Sequence, residues 1–312
     1  MKLTYNVYHP QDLARGIVQI MHGMEEHKGA YDEFAQYLCE HGFVVVTYDH
    51  RGHGNRSDEG LGYIAEENGW NLLVEDAYKV SQKIKKEYPP ATPFFLFGHS
   101  MGSIVARSYL KRYDSQLDGL LLCGAPTKES AASIGRFLAG QIVKKQGGKN
   151  KSPLLKKLTT GKFNKKIKNA KTEFDWISYN EKNVQRYIAD EKCGFGFTNQ
   201  GYYDLLCGLC DIFEEKNWVM ENPNLPILFL AGEDDPVTGG INGRKKSWIQ
   251  LKTVGYRKIQ EVIYPKMRHA IINEENCRDI FADVVHWIND VLDKNEKAQV
   301  SNFKYTQKRN VE

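Results

Sequence analysis

The feature that most constrains the fold is a short turn that joins an apolar run to a helical pattern. The turn is the pentapeptide Gly98-His99-Ser100-Met101-Gly102. A strand that reverses into a helix this quickly puts its central residue in strained backbone geometry and leaves space only for small neighbours. Ser100 is then exposed at a helix N-terminus, where free N–H groups favour negative charge. The G-x-S-x-G pattern is weak by itself, because a tight turn without chemistry uses the same residue types.

Along the rest of the chain, short β-branched or aromatic runs alternate with helical patterns. The runs are 16–21, 43–48, 93–97, 117–123, 226–230 and 258–264, and the helical patterns are 32–40, 72–87, 103–113 and 276–292. Buried strands separated by helices are typical of a parallel sheet that helices cover on both faces. The sequence therefore predicts an α/β fold with a mostly parallel sheet flanked by helices.

The alternation stops after residue 126. Residues 127–217 contain helical patterns without a convincing strand, and such a stretch is too long for a loop within a compact domain. We therefore expect a helical cap or lid, inserted between two strands over the carboxyl ends of the sheet, where ligands bind in such folds. The predicted organisation is a core in two parts, 1–126 and 218–293, with the cap at 127–217 and a polar tail at 294–312.

Positive charge is concentrated in one segment of the predicted cap. The formal net charge of the chain is +4, yet residues 144–171 contain eleven lysines and no acidic residue. This segment is either a solvated surface stretch, which we favour, or a basic patch that contacts an anionic membrane surface at its periphery. Nucleic acid is not an expected partner, because few aromatic residues are interleaved with the lysines.

The cysteines indicate a reducing environment. The chain has six of them, and it has neither a secretory signal peptide nor an apolar run long enough to span a membrane. We therefore expect free thiols and a cytoplasmic location. Cys207 and Cys210 form a C-x-x-C pattern, but they lie within a helical pattern without a second pair or a histidine at ligand spacing. A structural role is preferred for this pair, and no metal is expected.

A serine nucleophile needs a base that takes its proton and an acid that orients the base. His269 lies between the last strand and the last helix and is the preferred base, whereas His286, within that helix, is interpreted as structural. Three acids follow the strand 226–230, namely Glu233, Asp234 and Asp235. All three qualify, and Asp235 is preferred because the proline after it disfavours helix at that position.

The oxyanion of an acyl-transfer reaction needs backbone N–H donors. One comes from the residue after the nucleophile, Met101, and the other from the loop after the first long strand, where Met24 is the expected donor. Only the N–H of Met24 is needed for this role, so its side chain is free to shape the pocket.

Five motifs of the chain, in order, resemble those of one group within the α/β-hydrolase superfamily. The motifs are residues 22–27 with Tyr31, 48–54 with Ser57, 98–103, 232–237 and 268–274. The group is that of the monoacylglycerol lipases and lysophospholipases, which includes proteins labelled serine aminopeptidases. The resemblance implies an α/β-hydrolase fold, a catalytic triad of Ser100, Asp235 and His269, and an oxyanion hole at Met24 and Met101. Two features depart from the group: Met24 stands where a smaller residue is common, and the cap is unusually rich in lysine.

These observations predict a serine hydrolase that cleaves carboxylic esters through an acyl-enzyme on Ser100, without cofactor or metal. The resemblance implies that the substrate is a small-molecule ester or a lipid with a single acyl chain, such as a monoacylglycerol or lysophospholipid. Two alternatives remain: an aminopeptidase that uses the same triad, for which acidic residues of the cap would hold the substrate's ammonium group, and a non-catalytic protein that binds a small molecule.

One helical pattern of the predicted cap has two interpretations. Residues 130–143 place four large apolar side chains on one helical face, namely Ile134, Phe137, Leu138 and Ile142. This face is either the packed core of the cap, which we favour, or an apolar rim for an acyl chain.

Overall fold

The computed structural model describes residues 3–309, with side chains for residues 3–297. In this range seven strands form one sheet: β1 (Tyr5–Tyr8), β2 (Gly16–Met21), β3 (Phe43–Tyr48), β4 (Phe94–His99), β5 (Gly119–Cys123), β6 (Pro226–Gly232) and β7 (Lys258–Tyr264). Their order across the sheet is β1-β3-β2-β4-β5-β6-β7. Strand β1 pairs antiparallel with β3, and the other pairs are parallel. The predicted α/β class with a mostly parallel sheet is confirmed.

Helices cover both faces of this sheet. The described α-helices are α1 (Asp32–Glu40), α2 (Gly69–Lys85), α3 (Met101–Tyr113), α4 (Ala132–Gln146), α5 (Pro153–Thr159), α6 (Glu181–Ala189), α7 (Asn199–Phe213), α8 (Gly240–Val254) and α9 (Cys277–Arg309). One buried cluster joins the sheet to α2, α3 and α7, and a second joins it to α1 and α9. Within the described range, no helix has both the length and the apolar character that crossing a membrane requires.

The central strands are apolar throughout because both of their faces are buried. In β3, for example, Val44 and Val46 belong to the cluster under α2 and α3, whereas Phe43 and Val45 belong to the cluster under α1 and α9. A strand with only one buried face would alternate apolar with polar residues. The double burial explains why these runs are recognisable in the sequence as strands of a covered parallel sheet.

The chain between β5 and β6 contains α4, α5, α6 and α7 and no strand among its described residues. This is the stretch predicted as a cap, and its boundaries at 127 and 217 stay predictions. The preference for a packed apolar face on α4 is wrong, because Ile134 and Phe137 are 63% and 65% exposed. Helix α4 packs on α7 through small residues instead: Ala139 is buried, and Gly135 faces Leu206.

The last helix differs from its prediction. The sequence pattern ends the helix at 292 and begins a polar tail at 294, whereas α9 runs on to Arg309. Residues 293–309 lack proline and glycine and include several strong helix formers, so the pattern contains no stop signal. Residues 310–312 of the predicted tail, like residues 1 and 2, lie outside the described range.

Candidate active site

The turn between β4 and α3 holds Ser100 in a conformation that few non-glycine residues adopt. Its φ is +52° and its ψ is −118°, and its N–H donates a 2.9 Å hydrogen bond to the Cys123 carbonyl of β5. A Cβ at Gly98 would lie 2.5 Å from the Gly102 carbonyl oxygen, and one at Gly102 would lie 2.1 Å from that of Met21. No side chain fits at either position, so the two glycines are what allows strand and helix to meet this closely.

His269 is held by Asp235, which lies in the loop after β6. The His269 Nδ1 is 2.9 Å from Asp235 Oδ2, and the two residues are 3% and 2% exposed. The second carboxylate oxygen, Oδ1, accepts a 2.8 Å hydrogen bond from the Val237 N–H. A carboxylate only accepts hydrogen bonds, so Nδ1 carries the proton and donates it, and Nε2 is the free nitrogen of the neutral ring.

Ser100, His269, Met24 and Met101 all line one cavity of about 690 Å³. The His269 Nε2 is buried and has no hydrogen-bond partner among the described residues. Nor do the backbone N–H groups of Met24 and Met101 find an acceptor within the described part of the chain. The structure therefore pairs the predicted acid with the predicted base and places the serine in the wall of the same cavity. No hydrogen bond joins Ser100 Oγ to His269 Nε2 among the described contacts.

The candidates that were not preferred lie elsewhere. Glu233 and Asp234 are exposed on the surface, where Asp234 accepts a 3.0 Å hydrogen bond from the Tyr179 hydroxyl. His286 is exposed on α9. Of the three acids left open by the sequence, only Asp235 makes a hydrogen bond to a histidine ring among the described contacts.

Most of the cavity wall is apolar, and much of it comes from residues 127–217. Its large apolar members from that stretch are Ile134, Leu138, Leu155, Leu158, Phe163, Phe174, Trp176, Ile177, Leu205, Leu206 and Leu209. The Trp176 ring lies 5.2 Å from the His269 ring, measured between centroids. Ile134, Leu138 and Leu158 are also exposed, which puts them at the mouth of the cavity. Such a wall suits an acyl chain better than a polar polymer.

Three residues without a role in the sequence predictions hold the loop of the predicted base, His269: Glu26, Tyr31 and His99. The His99 Nε2–H donates a 3.2 Å hydrogen bond to the backbone carbonyl of His269, and His99 Nδ1 lies 3.2 Å from Glu26 Oε1. The Tyr31 hydroxyl donates a 2.6 Å hydrogen bond to the same carboxylate oxygen. His99 adjoins Ser100 in the sequence, yet its ring reaches the backbone of the loop that carries His269.

Glu26 and His99 form a buried pair of ionisable side chains. Burial raises the pKa of Glu26, but hydrogen bonds from His99 and Tyr31 and the charge of His99 outweigh it and lower that pKa to about 2. Burial likewise lowers the pKa of His99, but the hydrogen bond and charge of Glu26 outweigh it and raise that pKa above its ordinary value. A backbone carbonyl only accepts, so His99 Nε2 carries a proton and holds the His269 carbonyl, while Nδ1 faces Glu26 Oε1 and lies 2.8 Å from the Tyr31 hydroxyl.

One cluster has a composition that is typical of metal sites. Ligand atoms of His27, Asp190 and Cys193 all lie within 4.8 Å of one another. However, His27 Nδ1 accepts a hydrogen bond from the Gly29 N–H at 3.1 Å, so its Nε2 carries the proton and donates to Asp190 at 2.8 Å. A metal requires an unprotonated nitrogen. These residues therefore fit a hydrogen bond between the loop after β2 and the loop after α6 better than a metal.

The chain was compared with known proteins. The family described as "Serine aminopeptidase, S33" matches residues 12–276. The monoacylglycerol lipase of Mycolicibacterium smegmatis is 25% identical over 291 residues, which is 92% of this chain and 93% of that protein. The monoglyceride lipase of Mus musculus is 25% identical over 278 residues, which is 86% of this chain and 83% of that protein.

Solved structures have the same fold. A highly thermostable carboxyl esterase from Bacillus coagulans, in complex with glycerol, has a TM-score of 0.85 and 27% identity, over 93% of this chain and 94% of that one. The monoacylglycerol lipase of Paleococcus ferrophilus has a TM-score of 0.70 and 22% identity, over 94% of this chain and 99% of that one. Their likeness to this chain confirms the predicted α/β-hydrolase fold.

Proposed function

The chain belongs to the serine aminopeptidase S33 family of α/β-hydrolases and is a hydrolase, and we propose that it cleaves carboxylic esters through an acyl-enzyme on Ser100. The proposed substrate is a lipid with a single acyl chain, such as a monoacylglycerol or lysophospholipid. The observation that carries this proposal is the free Nε2 of a histidine fixed by Asp235, in the same apolar cavity as a serine on a strained turn.

In the proposed reaction, Ser100 Oγ attacks the ester carbonyl while its proton passes to His269 Nε2. Negative charge develops on the carbonyl oxygen, where the free N–H groups of Met24 and Met101 can donate to it. His269 then gives its proton to the departing alcohol, and the acyl group stays on the serine. Water, deprotonated by the same nitrogen, attacks this acyl-enzyme. The bond from the acyl carbon to Ser100 Oγ breaks, His269 returns the proton to Oγ, and the fatty acid is released. Asp235 stays ionised and keeps Nδ1 protonated throughout.

Both the cavity and the relatives support this substrate class. The wall is long and apolar on the side formed by residues 127–217, which suits one acyl chain. The relatives that match most of the chain's length are named for the hydrolysis of monoacylglycerols, and the Bacillus coagulans esterase holds glycerol. The cap carboxylates that line the cavity suit a peptidase less well, because Glu173 and Glu129 pair with Lys156 and Lys162 at 2.7 and 2.8 Å.

A substrate panel tests the proposal directly. Purified protein is assayed with monoacylglycerols of increasing chain length, a lysophosphatidylcholine and aminoacyl anilides, with Ser100→Ala as the blank. We expect kcat/KM for the glycerides to rise with chain length until the cavity is filled, since each buried CH₂ contributes about 0.8 kcal/mol. Faster turnover of the anilides would favour the peptidase instead. No turnover of any member would favour a protein that only binds a small molecule.

We also propose that the rim of the cavity contacts an anionic lipid surface. Leu158, exposed at the mouth, follows the exposed Lys157 in α5. The exposed Lys165 lines the same cavity as Ile134 and Leu158. Apolar side chains enter a lipid surface while basic ones are attracted to its charge. This arrangement would let a single-chain lipid enter the cavity directly from the surface.

Vesicle binding tests this contact. We expect the protein to co-sediment with phosphatidylglycerol vesicles at low salt and not with phosphatidylcholine vesicles. The double variant Lys157→Glu/Lys165→Glu should bind at least about 10-fold more weakly. The matched control Lys79→Glu/Lys83→Glu changes the net charge equally on α2 and should bind as the unchanged protein does. Equal losses for both variants would point to net charge alone.

A cytoplasmic location is a proposal of the same kind. The six cysteines are free thiols in the structure, which fits a reducing compartment. Cell fractionation followed by detection of the protein tests this location.

A further inference from the structure

Glu25, the residue after the proposed oxyanion donor Met24, has a strained backbone. Its φ is +58°, a region that costs non-glycine residues free energy. Hydrogen bonds on both sides hold it there: its N–H donates to His53 Nε2 at 3.2 Å, and its carbonyl accepts from the Gly194 N–H at 3.0 Å and the Tyr187 hydroxyl at 2.8 Å. A glycine would adopt the same conformation without strain.

The side chain of Glu25 adds a second cost at the same position. The residue lines the cavity and is 5% exposed, and its Oε1 has no hydrogen-bond partner among the residues that the structure describes. A buried polar atom without a partner forfeits the hydrogen bonds that it made with water. Backbone strain and an unpaired carboxyl oxygen therefore coincide at one residue in the wall of the cavity that contains Ser100 and His269. Unfavourable features of this kind are often retained at functional sites, although they lower stability.

The surroundings of this carboxyl group favour a neutral hydrogen-bonding partner over a cation. Burial raises the pKa of Glu25. A hydrogen bond from the Gly196 backbone and the charges of Lys156 and Lys151 lower this pKa, and the charge of Glu173 raises it. Lys151 and Lys156, the latter shared with Glu173, already place positive charge near the carboxyl, so it does not need a substrate ammonium group as its counter-charge. A hydroxyl group, in contrast, can donate to the carboxyl in either of its protonation states.

We propose that Glu25 is a specificity-determining residue that hydrogen-bonds a free hydroxyl group in the alcohol part of the ester. The inference rests on the proposed esterase function and adds the substrate feature that this site selects: an alcohol that keeps at least one hydroxyl, as in a glycerol monoester. Glu25 follows Met24 directly in the chain and lines the same cavity as Ser100 and His269, so an ester bound there can bring the alcohol part next to its scissile bond to the Glu25 carboxyl.

The test compares two esters of one fatty acid, 1-monodecanoylglycerol and methyl decanoate, with the unchanged protein and Glu25→Gly. We expect the ratio of kcat/KM for the glyceryl ester to that for the methyl ester to fall by about 10- to 100-fold in Glu25→Gly. The melting temperature should not fall, since glycine relieves the backbone strain and removes the unpaired carboxyl. The matched control is Lys266→Gly, which relieves a φ of +55° at an exposed residue and should leave the ratio unchanged.

The outcomes separate this inference from the proposed function. If both esters are hydrolysed but Glu25→Gly leaves their ratio unchanged, the hydroxyl contact is refuted and the esterase function stands. A loss confined to aminoacyl anilides would assign the carboxyl to an ammonium group and overturn the proposal. If the unchanged protein hydrolyses neither ester, the proposed function fails and this inference fails with it.

Discussion

Replacing Ser100 with alanine is expected to lower kcat for ester hydrolysis by on the order of 10⁵-fold or more, because the nucleophile is the one group that no neighbour replaces. The fold should persist, since the hydrogen bond from the residue 100 N–H to the Cys123 carbonyl does not involve the side chain. The measurement is hydrolysis of short and long p-nitrophenyl esters, together with labelling by a fluorophosphonate probe and identification of the labelled peptide.

Ser115→Ala is the matched control, because this serine is exposed on the turn after α3 and lies outside the cavity wall. It should retain full activity and label as the unchanged protein does. Equal hydrolysis by Ser100→Ala and the unchanged protein would refute the acyl-enzyme mechanism. Labelling of another residue in Ser100→Ala would identify that residue as the nucleophile.

The turn around Ser100 was predictable because its requirements are local. A strand and a helix that meet within a few residues exclude side chains at Gly98 and Gly102, and the Cβ distances to backbone oxygens explain both. The pairing of Asp235 with His269 was predictable for a related reason: each follows a strand, and the carboxyl ends of parallel strands meet at one edge of the sheet. Neither inference needed knowledge of side-chain packing.

The hydrogen-bonded group of Glu26, Tyr31 and His99 was not predictable in this way. Glu26 and His99 are distant in the sequence, and their pairing depends on how the loop after β2 approaches the turn after β4. The packing of α4 was predicted wrongly for another physical reason. Small residues such as Gly135 and Ala139 let this helix pack closely on α7, while its large apolar residues Ile134 and Phe137 stay exposed. Large apolar side chains at helical spacing indicate an apolar face, but not what covers it.

The role that we propose for Glu25 could not be predicted from a residue pattern. Its importance comes from a positive φ and from a carboxyl oxygen without a partner, and both are properties of the folded chain. Glu25 lies within the motif of residues 22–27, but the sequence assigned a role there only to Met24, as the expected oxyanion donor. Sequence reasoning therefore proposed Ser100, Asp235 and His269 as the reacting groups, and the structure was needed for the group that we propose selects the substrate.

Asp235→Asn is expected to lower kcat by about 10⁴-fold while leaving the fold intact, because it reverses the tautomer of His269. The Val237 N–H donates to Oδ1 of this side chain at 2.8 Å, so the amide oxygen of asparagine must take that position. The amide NH₂ then faces His269 Nδ1, which is 2.9 Å from the other oxygen in the unchanged protein. Nδ1 must now accept, the proton moves to Nε2, and the ring can no longer take the proton of Ser100.

Asp234→Asn makes the same chemical change one residue earlier in the chain and is the matched control. This side chain is exposed, and an amide oxygen there can still accept the hydrogen bond of the Tyr179 hydroxyl. Its kcat with p-nitrophenyl esters should therefore stay near that of the unchanged protein. Circular dichroism and thermal melting of both variants separate loss of the tautomer from loss of the fold. A well-folded Asp235→Asn variant with nearly full activity would show that the orienting acid is another residue. A large loss of activity in Asp234→Asn alone would identify Asp234 as that acid.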